Sequence, residues 1–297
     1  MAPHLYSIAL FDILGFEARF SAYGLEVMAA KYDQLIGSVV QRNQHMSELA
    51  SMLHMEDEAT WTAEGDAFVC NRIYGAYASD TVLIWAHALF PGGRGLSEHE
   101  RAARASDPAR GWTFLPIPCD RFLDACSEVV CEALELELPV RGAIAMGMAI
   151  MDSERGVFLG QPLIDAARME KNQKLIGASF CRSYLSQIIP GPYAVPLDCH
   201  VKDLTSGHFS GLVLNWPRRW RLTRRTDLAP VISRLDTAPD HSAAYKNSLE
   251  LNRLSEALAR EMHTDHYVST RRLYPQFASP NLEMAVRAVS SGKRPDR

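Results

Sequence analysis

A two-residue connection between two strand segments limits the folds that this sequence can adopt. Residues 81–86 read TVLIWA, a run of β-branched, aromatic and aliphatic residues that is typical of a buried strand. Residues 68–78 precede it as a second strand segment, and only Ser79 and Asp80 lie between the two. A connection this short joins neighbouring antiparallel strands. The sequence therefore predicts a β-hairpin with Asp80 in its turn.

Strands alternate with helices around this hairpin. Apolar residues spaced by three and four predict one helix after a first strand at residues 7–11, and a second helix beginning near Asp120. The order of strand pairs and helices predicts an α+β fold with a ferredoxin-like sheet, not a doubly wound parallel one. Further strands are predicted at 140–151, 156–160, 175–181 and 211–216, with a helix beginning at Gln161. The predicted buried helix positions are Leu25, Met28, Tyr32, Leu35, Ile36, Val39, Phe122, Cys126, Val129, Val130 and Ala133.

The chain divides into a main domain and an extension. Residues 5–216 contain the strand and helix pattern, interrupted at about 91–115 by a segment rich in Gly, Pro and charge that we expect to be a surface insertion. Residues 217–297 are expected to form a mainly helical C-terminal extension with a disordered tail from Ser290. At the start of this extension, residues 217–225 read PRRWRLTRR and are predicted to be a charged edge strand.

Composition excludes several classes of protein. The 297 residues are 47% hydrophobic and 22% charged, as in ordinary globular proteins. A net charge of -4 gives no reason to expect a nucleic-acid partner, and no apolar run approaches the ~20 residues that span a bilayer. We expect no membrane association and no signal peptide. The six cysteines form no CxxC pair, so we expect reduced core residues in a cytoplasmic protein.

Two aspartates stand at strand ends that a ferredoxin-like sheet places side by side. Asp12 follows the apolar run SIALF directly, and Asp80 lies in the hairpin turn next to that first strand. Two carboxylates this close repel each other, and a divalent cation removes the conflict. Hard oxygen ligands suit Mg²⁺ or Mn²⁺. Asp66, in the segment EGDAF, is the alternative to Asp80.

Two further segments could contact phosphates. The residues Leu14, Gly15 and Phe16 form a strand-to-helix turn, where glycine permits close approach and helix amides face outward. In the helix beginning at Gln161, Arg168 has small alanine neighbours and could stabilise charge on a phosphorus centre. His263 and His266 have helical spacing but no third ligand, which favours a solvated helix end.

Four blocks give the chain a resemblance to a known family. They are FDILGF (11–16), ASDTVLIW (78–85), VRGAIAMG (140–147) and GQPLIDAARME (160–170). In this order they resemble the catalytic domain of class III nucleotidyl cyclases, and more narrowly the pyrimidine cyclases of bacterial Pycsar antiphage systems. The resemblance covers residues 5–216. It implies a role in antiphage signalling, in which the cyclic nucleotide activates a separate effector protein.

The resemblance also implies a set of site residues. Two divalent cations, Mn²⁺ or Mg²⁺, would be held by Asp12, Asp80 and the carbonyl of Ile13. The turn Leu14, Gly15 and Phe16 would cover the triphosphate, and Arg168 would stabilise the transition state. Sites of this family lie between two catalytic domains, so a head-to-tail homodimer is expected, with Arg168 acting across the interface.

Departures from the family pattern bear on the substrate. Where the family has an asparagine, this chain has Ile164, so ribose orientation would fall to another group such as Asp165. The purine-reading lysine and aspartate of adenylyl cyclases are replaced by Ala76 and Val157. Without these groups the pocket has no such side-chain hydrogen bonds to offer the polar edge of a purine. Their absence favours a pyrimidine nucleotide as the substrate. Tyr74 and Arg141 are the candidate base-reading residues.

The sequence therefore predicts a uridylate cyclase that converts UTP to 3′,5′-cyclic UMP, with CTP the near alternative. Two other readings stay open. One is a purine cyclase with an unusual pocket. The other is a catalytically degenerate domain that binds a nucleotide and regulates a partner, which Ile164 favours.

Overall fold

A computed structural model describes residues 3–37, 39, 73–88, 118–188, 190–197, 209–235 and 242–261. Several predictions concern residues outside these ranges: the first part of the hairpin strand at 68–72, Asp66, the insertion at 91–115, the histidine pair and the C-terminal tail. Among the described helices, none is both long enough and apolar enough to cross a bilayer.

The described elements follow the predicted alternation of strands and helices. The strands are β1 His4–Ile13, β2 Tyr74–Ala78, β3 Thr81–His87, β4 Val140–Asp152, β5 Val157–Gly160, β6 Gly177–Cys181, β7 Ala194–Pro196 and β8 Phe209–Leu214. The helices are α1 Phe16–Ile36, α2 Pro118–Glu135, α3 Gln161–Asn172, α4 Arg182–Leu185, α5 Trp216–Thr223, α6 Leu228–Leu235 and α7 Ser242–Glu261, with a 3₁₀ turn at Gly191–Tyr193.

One mixed sheet holds these elements together in the order β2-β3-β1-β4-β6-β8-β7, and β5 pairs with β4. Within β2-β3-β1-β4, each strand runs antiparallel to its neighbour. Helix α1 connects β1 to β2, and α2 connects β3 to β4. This β-α-β-β-α-β order, with the first strand between the third and fourth, is the ferredoxin-like arrangement. The predicted α+β fold is therefore confirmed.

The hairpin has the predicted two-residue turn. Ala78 pairs with Thr81, and Ser79 between them has a φ of 56°, in the left-handed region. A positive φ gives the connection a backbone twist that matches its strands. The turn places Asp80 directly before β3, at the same edge of the sheet as the end of β1.

Side chains of the sheet alternate between two packed faces. On β1, Ala9, Phe11 and Ile13 point into the main core beside α1 and α2. Ile8 and Leu10 point to the opposite face, which α3 covers. The predicted buried positions of α2 are all buried: Phe122, Cys126, Val129, Val130 and Ala133. Asp12, one residue after Phe11, therefore lies on the α3 face because strand side chains alternate.

Two predictions about elements are wrong. Leu25 was expected in the apolar face of α1, yet it is 70% exposed, because the helix is interrupted at Gly24, whose φ is 75°. Residues 217–225 were expected to form an edge strand, yet Trp216–Thr223 is helix α5. Trp216 and Trp220 lie one helical turn apart and are both buried, and Pro217 occupies the first turn, where a missing N–H costs nothing.

The C-terminal helices pack against the sheet domain. The Ile176 amide donates to Ser248 Oγ of α7 (2.9 Å), and Asn247 donates to the Lys174 carbonyl (2.8 Å). Arg221 of α5 donates to Ser255 Oγ of α7 (2.7 Å). The described part of the extension is helical, and the first two of these bonds join it to the segment before β6.

Candidate active site

Asp12 occupies the second-last position of β1, between two neighbouring strands. It lies opposite Thr81 of β3 on one side and Arg141 of β4 on the other. Its side chain is 20% exposed. The position is dictated by the sequence, since the apolar alternation of β1 ends where α1 must begin, and the strand end reaches the sheet edge.

Asp80 reaches the same point from the hairpin turn. Its carbonyl accepts a hydrogen bond from the Ile13 amide (3.0 Å), which ties the turn to the end of β1. Its carboxyl interacts with the Asp12 carboxyl and raises the pKa of Asp12. The structure thus brings together the two aspartates that the sequence predicted to converge.

Arg141 bridges Asp12 and a third carboxylate. Its Nη2 atom donates to Asp12 Oδ2 (3.1 Å), and its Nε atom lies 2.5 Å from Glu170 Oε1 on α3. Glu170 is nearly buried, with a side chain 5% exposed. The sequence reasoning missed Glu170. The available signal was its place on the buried stripe of α3 with Pro162, Ala166 and Met169, where a carboxylate needs a partner.

Burial and charge act together on these carboxyls. Burial raises the pKa of Asp12, the Arg141 guanidinium opposes this, and Asp80 raises it further. Burial also raises the pKa of Glu170, again against the effect of Arg141 and with a contribution from Asp12. The cluster is therefore crowded with negative charge, and one guanidinium does not fully compensate it.

Tyr32 of α1 holds the hairpin turn. Its hydroxyl donates to the Ser79 carbonyl (2.6 Å) from a buried position. Burial, followed by the charges of Asp80 and Asp12, raises the pKa of this hydroxyl. Tyr32 therefore stays protonated and fixes the residue next to Asp80.

The turn after β1 has the expected conformation. Gly15 precedes α1 with a φ of 68°, which favours glycine. Leu14 is buried, and its amide donates to the Pro139 carbonyl (2.8 Å). Phe16 begins the helix, so the first-turn amides beyond it lack intrahelical acceptors. A phosphate at this turn would face the amides after Leu14.

Arg168 lies on the exposed face of α3, whereas Glu170 belongs to the buried face of that helix. Arg168 is exposed, as is Ile164 one turn earlier, which is 46% exposed. Asp165 accepts a hydrogen bond from Gln161 Nε2 (2.8 Å). Met148 and Leu159, of the adjoining strands β4 and β5, are also exposed apolar residues. One chain therefore does not bring Arg168 to Asp12.

Two of the predicted base-binding positions, Tyr74 and Ala76, belong to an apolar cluster on the α3 face. Tyr74 stacks on Trp85 with ring centroids 5.6 Å apart, and Phe158 packs edge-on against Trp85 at 5.3 Å. Ala76 packs against the same cluster, and Val157 is the half-buried first residue of β5. Neither Ala76 nor Val157 carries a side-chain hydrogen-bonding group.

The aspartate pair fits a hard divalent cation in its donor chemistry. Two adjacent carboxyls at a partly exposed strand end supply the oxygen ligands that Mg²⁺ and Mn²⁺ prefer. Within the described ranges, no group of three or more His, Cys, Asp or Glu residues is arranged to hold a metal ion. Further oxygens, such as those of a polyphosphate, would have to complete the coordination.

Comparison with known proteins finds likenesses among solved structures only. No protein-family model and no curated protein matches the chain. Among solved structures, the chain is similar to the catalytic core of a rhodopsin-guanylyl cyclase with converted specificity in complex with ATPαS. The identity is 13% and the TM-score 0.40, over 72% of this chain and 95% of that one.

Proposed function

We propose that this chain is a metal-dependent uridylate cyclase that converts UTP to 3′,5′-cyclic UMP and pyrophosphate. The observation that carries the proposal is the pairing of Asp12 with Asp80 at the end of β1. The Gly15 turn and the start of α1 lie directly beside this pair. Carboxylates for cations and helix amides for phosphates are the two requirements of a nucleoside triphosphate site.

In this proposal Asp12, Asp80 and the Ile13 carbonyl hold two Mn²⁺ or Mg²⁺ ions. When bound, such ions lower the pKa of the ribose 3′-hydroxyl and neutralise departing pyrophosphate. The chain itself supplies position. The β1–β3 pairing and the Ile13–Asp80 hydrogen bond fix both carboxylates before substrate arrives. The reaction is intramolecular, so holding the ribose against its own α-phosphate supplies much of the rate.

A homodimer completes the site. The turn Leu14, Gly15 and Phe16 holds the triphosphate of one protomer, and Arg168 comes from its partner to stabilise charge at the phosphorus. The exposure of Arg168 on the outer side of α3 supports this arrangement, since the side chain is accessible to a second copy. Exposed Met148, Leu159 and Ile164 give the same region an apolar character.

The base site favours a pyrimidine because its chemistry lacks purine-reading groups. Ala76 and Val157 offer no donor or acceptor, so the polar edge of adenine or guanine would lose its hydrogen bonds to water without replacement. Tyr74, Arg141 and Asp165 remain candidates for contacts with the base or ribose. CTP is the near alternative. The product would act as a second messenger for a separate effector in antiphage defence.

Turnover of the four common nucleoside triphosphates tests this proposal. Purified protein is incubated with Mn²⁺ and each of ATP, GTP, CTP and UTP, and products are identified by mass. Cyclic UMP with UTP alone is expected. Turnover of a purine would refute the base preference. No turnover with any of the four would favour a nucleotide-binding regulatory domain, for which Ile164 in place of an asparagine is the supporting residue.

Substitution of the two aspartates is the first prediction. Asp12→Ala and Asp80→Ala should each lower cyclase activity by about 100-fold or more, since each removes a ligand of ions that supply several kcal/mol of charge stabilisation. Asp152→Ala is the matched control, because Asp152 lies at the far end of β4 beside Arg155. Gel filtration should show the same oligomer for all variants. Full activity of Asp80→Ala would show that a residue other than Asp80 is the second metal ligand.

A further inference from the structure

The Arg141 guanidinium lies where it neutralises a carboxylate of the proposed metal site. It contacts Asp12 through Nη2 and Glu170 through Nε, so two different edges of the guanidinium face two carboxylates. Asp80 adds a third carboxyl beside Asp12. Three carboxyls therefore share the Arg141 guanidinium, and the charge of Lys171 also acts on Glu170.

This bridge differs from an ordinary structural ion pair. Asp12 and Arg141 face each other in the β1–β4 register and are both partly exposed, so an ion from solvent can approach Asp12. Glu170 is nearly buried. Its Oε1 atom lies close to the Nε atom of Arg141, but the two atoms are not aligned as a good hydrogen bond. The guanidinium thus interacts with two carboxylates. Glu170 is buried and holds the guanidinium in place, whereas Asp12 is accessible to solvent.

We propose that Arg141 is an internal counter-cation that a divalent ion must displace from Asp12, and that Glu170 is the positioning residue that shares its charge. This inference rests on the metal site of the proposed function. Arg141 stabilises Asp12 while no metal is bound and competes with metal binding. Glu170 weakens that competition, because it draws the guanidinium away from Asp12.

The charge balance sets the expected direction. Removing the arginine leaves Asp12 and Asp80 uncompensated, so a divalent ion should bind more tightly. Removing the Glu170 charge leaves Asp12 as the remaining partner of Arg141, so the ion should bind more weakly. In a protein that already lacks the arginine, the Glu170 change should have no effect, because Glu170 acts through Arg141.

Mn²⁺ binding without nucleotide tests this inference separately from catalysis. Free Mn²⁺ is titrated by electron paramagnetic resonance against the full chain. Arg141→Gln and Arg141→Met should each bind Mn²⁺ about two- to fivefold more tightly than the wild type, the range for a partly exposed ion pair. Arg155→Gln, which removes one positive charge from the exposed pair with Asp152, should leave the affinity unchanged. Circular dichroism checks that each variant folds. If one of the two Arg141 variants does not fold, the other is sufficient for the test.

The Glu170 arm uses a double-mutant cycle. Glu170→Gln should weaken Mn²⁺ binding about threefold in the wild-type background and leave it unchanged in the Arg141→Gln background. An equal loss in both backgrounds would make Glu170 a direct metal ligand and overturn its positioning role. Unchanged or weaker binding in both Arg141 variants, or no saturable Mn²⁺ binding in any variant, would overturn the counter-cation. Failure of cyclase turnover alone would refute the proposed reaction and leave the titration readable.

Discussion

At the scale of single residues, a tyrosine hydroxyl controls the position of the second aspartate. Tyr32 donates to the Ser79 carbonyl from a buried position, so removing its hydroxyl breaks the hydrogen bond that ties α1 to the hairpin turn. Tyr32→Phe should lower the free energy of unfolding by about 1 kcal/mol and should raise the Mn²⁺ concentration needed for half-maximal activity.

Tyr77→Phe is the matched control for this change. Tyr77 packs beside Tyr32 with ring centroids 5.0 Å apart, but its hydroxyl is exposed and reaches only Asp33 (3.3 Å). Chemical denaturation and a Mn²⁺ titration of activity distinguish the two variants. Equal effects of both substitutions would show that the hydrogen bond to the turn has no special role.

Sequence reasoning found the residues of the site that break a local pattern and missed one that does not. Asp12 interrupts an apolar strand and Asp80 occupies a two-residue turn, so each can be recognised from the sequence around it. Glu170 stands in a charged stretch, ARMEK, where a solvated glutamate is the ordinary expectation. Only the helical phase of α3 and the arginine across the sheet give it a partner.

At the scale of elements, α2 and α5 are joined by a charged contact. Glu128 of α2 is nearly buried and accepts hydrogen bonds from Arg219 of α5 and from Arg224, which directly follows α5, both at 2.6 Å. Burial alone would raise the pKa of Glu128, but these hydrogen bonds outweigh it and hold the pKa below its usual value. The contact explains why residues 217–225 are rich in arginine without forming an edge strand.

Glu128→Gln should therefore destabilise the protein at neutral pH. Two arginines would lose their buried partner, and we expect a loss of about 2–3 kcal/mol in the free energy of unfolding. A lowered pKa stabilises the fold above the ordinary glutamate range and loses that contribution as pH falls through the folded-state value. The difference between variant and wild type should thus be full at pH 7 and shrink below about pH 4.

Denaturant unfolding at several pH values measures this difference. Glu250→Gln is the control, because Glu250 pairs with Arg253 on the surface of α7 and should matter little at any pH. A Glu128→Gln effect that stays unchanged well below pH 4 would show that packing, not charge, joins α2 to α5.

Elements were predicted well where periodicity and turn chemistry agreed, and poorly where tertiary contacts decided. The hairpin, β1, β4 and α3 carry their own signals. The three-residue strand β7 is too short to have a pattern and exists through its pairing with β8. Helix α5 was wrongly predicted to be a strand because its many arginines suggested a charged sheet edge. Its two tryptophans are the residues that fix it, since their indoles donate to the Ile176 and Thr226 carbonyls.

At the scale of the whole molecule, the proposed site requires two copies of the chain. Asp12 lies under α3, whereas Arg168 and Ile164 face outward from the same helix. A packed helix cannot turn both faces to one ligand, so cooperation between these residues requires a second protomer. Closed dimers formed by a two-fold axis contain two equivalent sites, each with contributions from both chains.

Mixing two inactive variants tests this arrangement. Asp12→Ala and Arg168→Ala should each be inactive alone. In a mixed dimer one site carries both substitutions and the other carries neither, so random exchange in an equimolar mixture should restore about a quarter of wild-type activity. Activity is measured after co-refolding or prolonged mixing, and a mixture of Asp12→Ala with Asp80→Ala is the control, because both substitutions affect the same half of a site. No recovery in the test mixture would place Arg168 outside the partner's site, and recovery in the control would show that Asp12 and Asp80 do not serve the same half of a site.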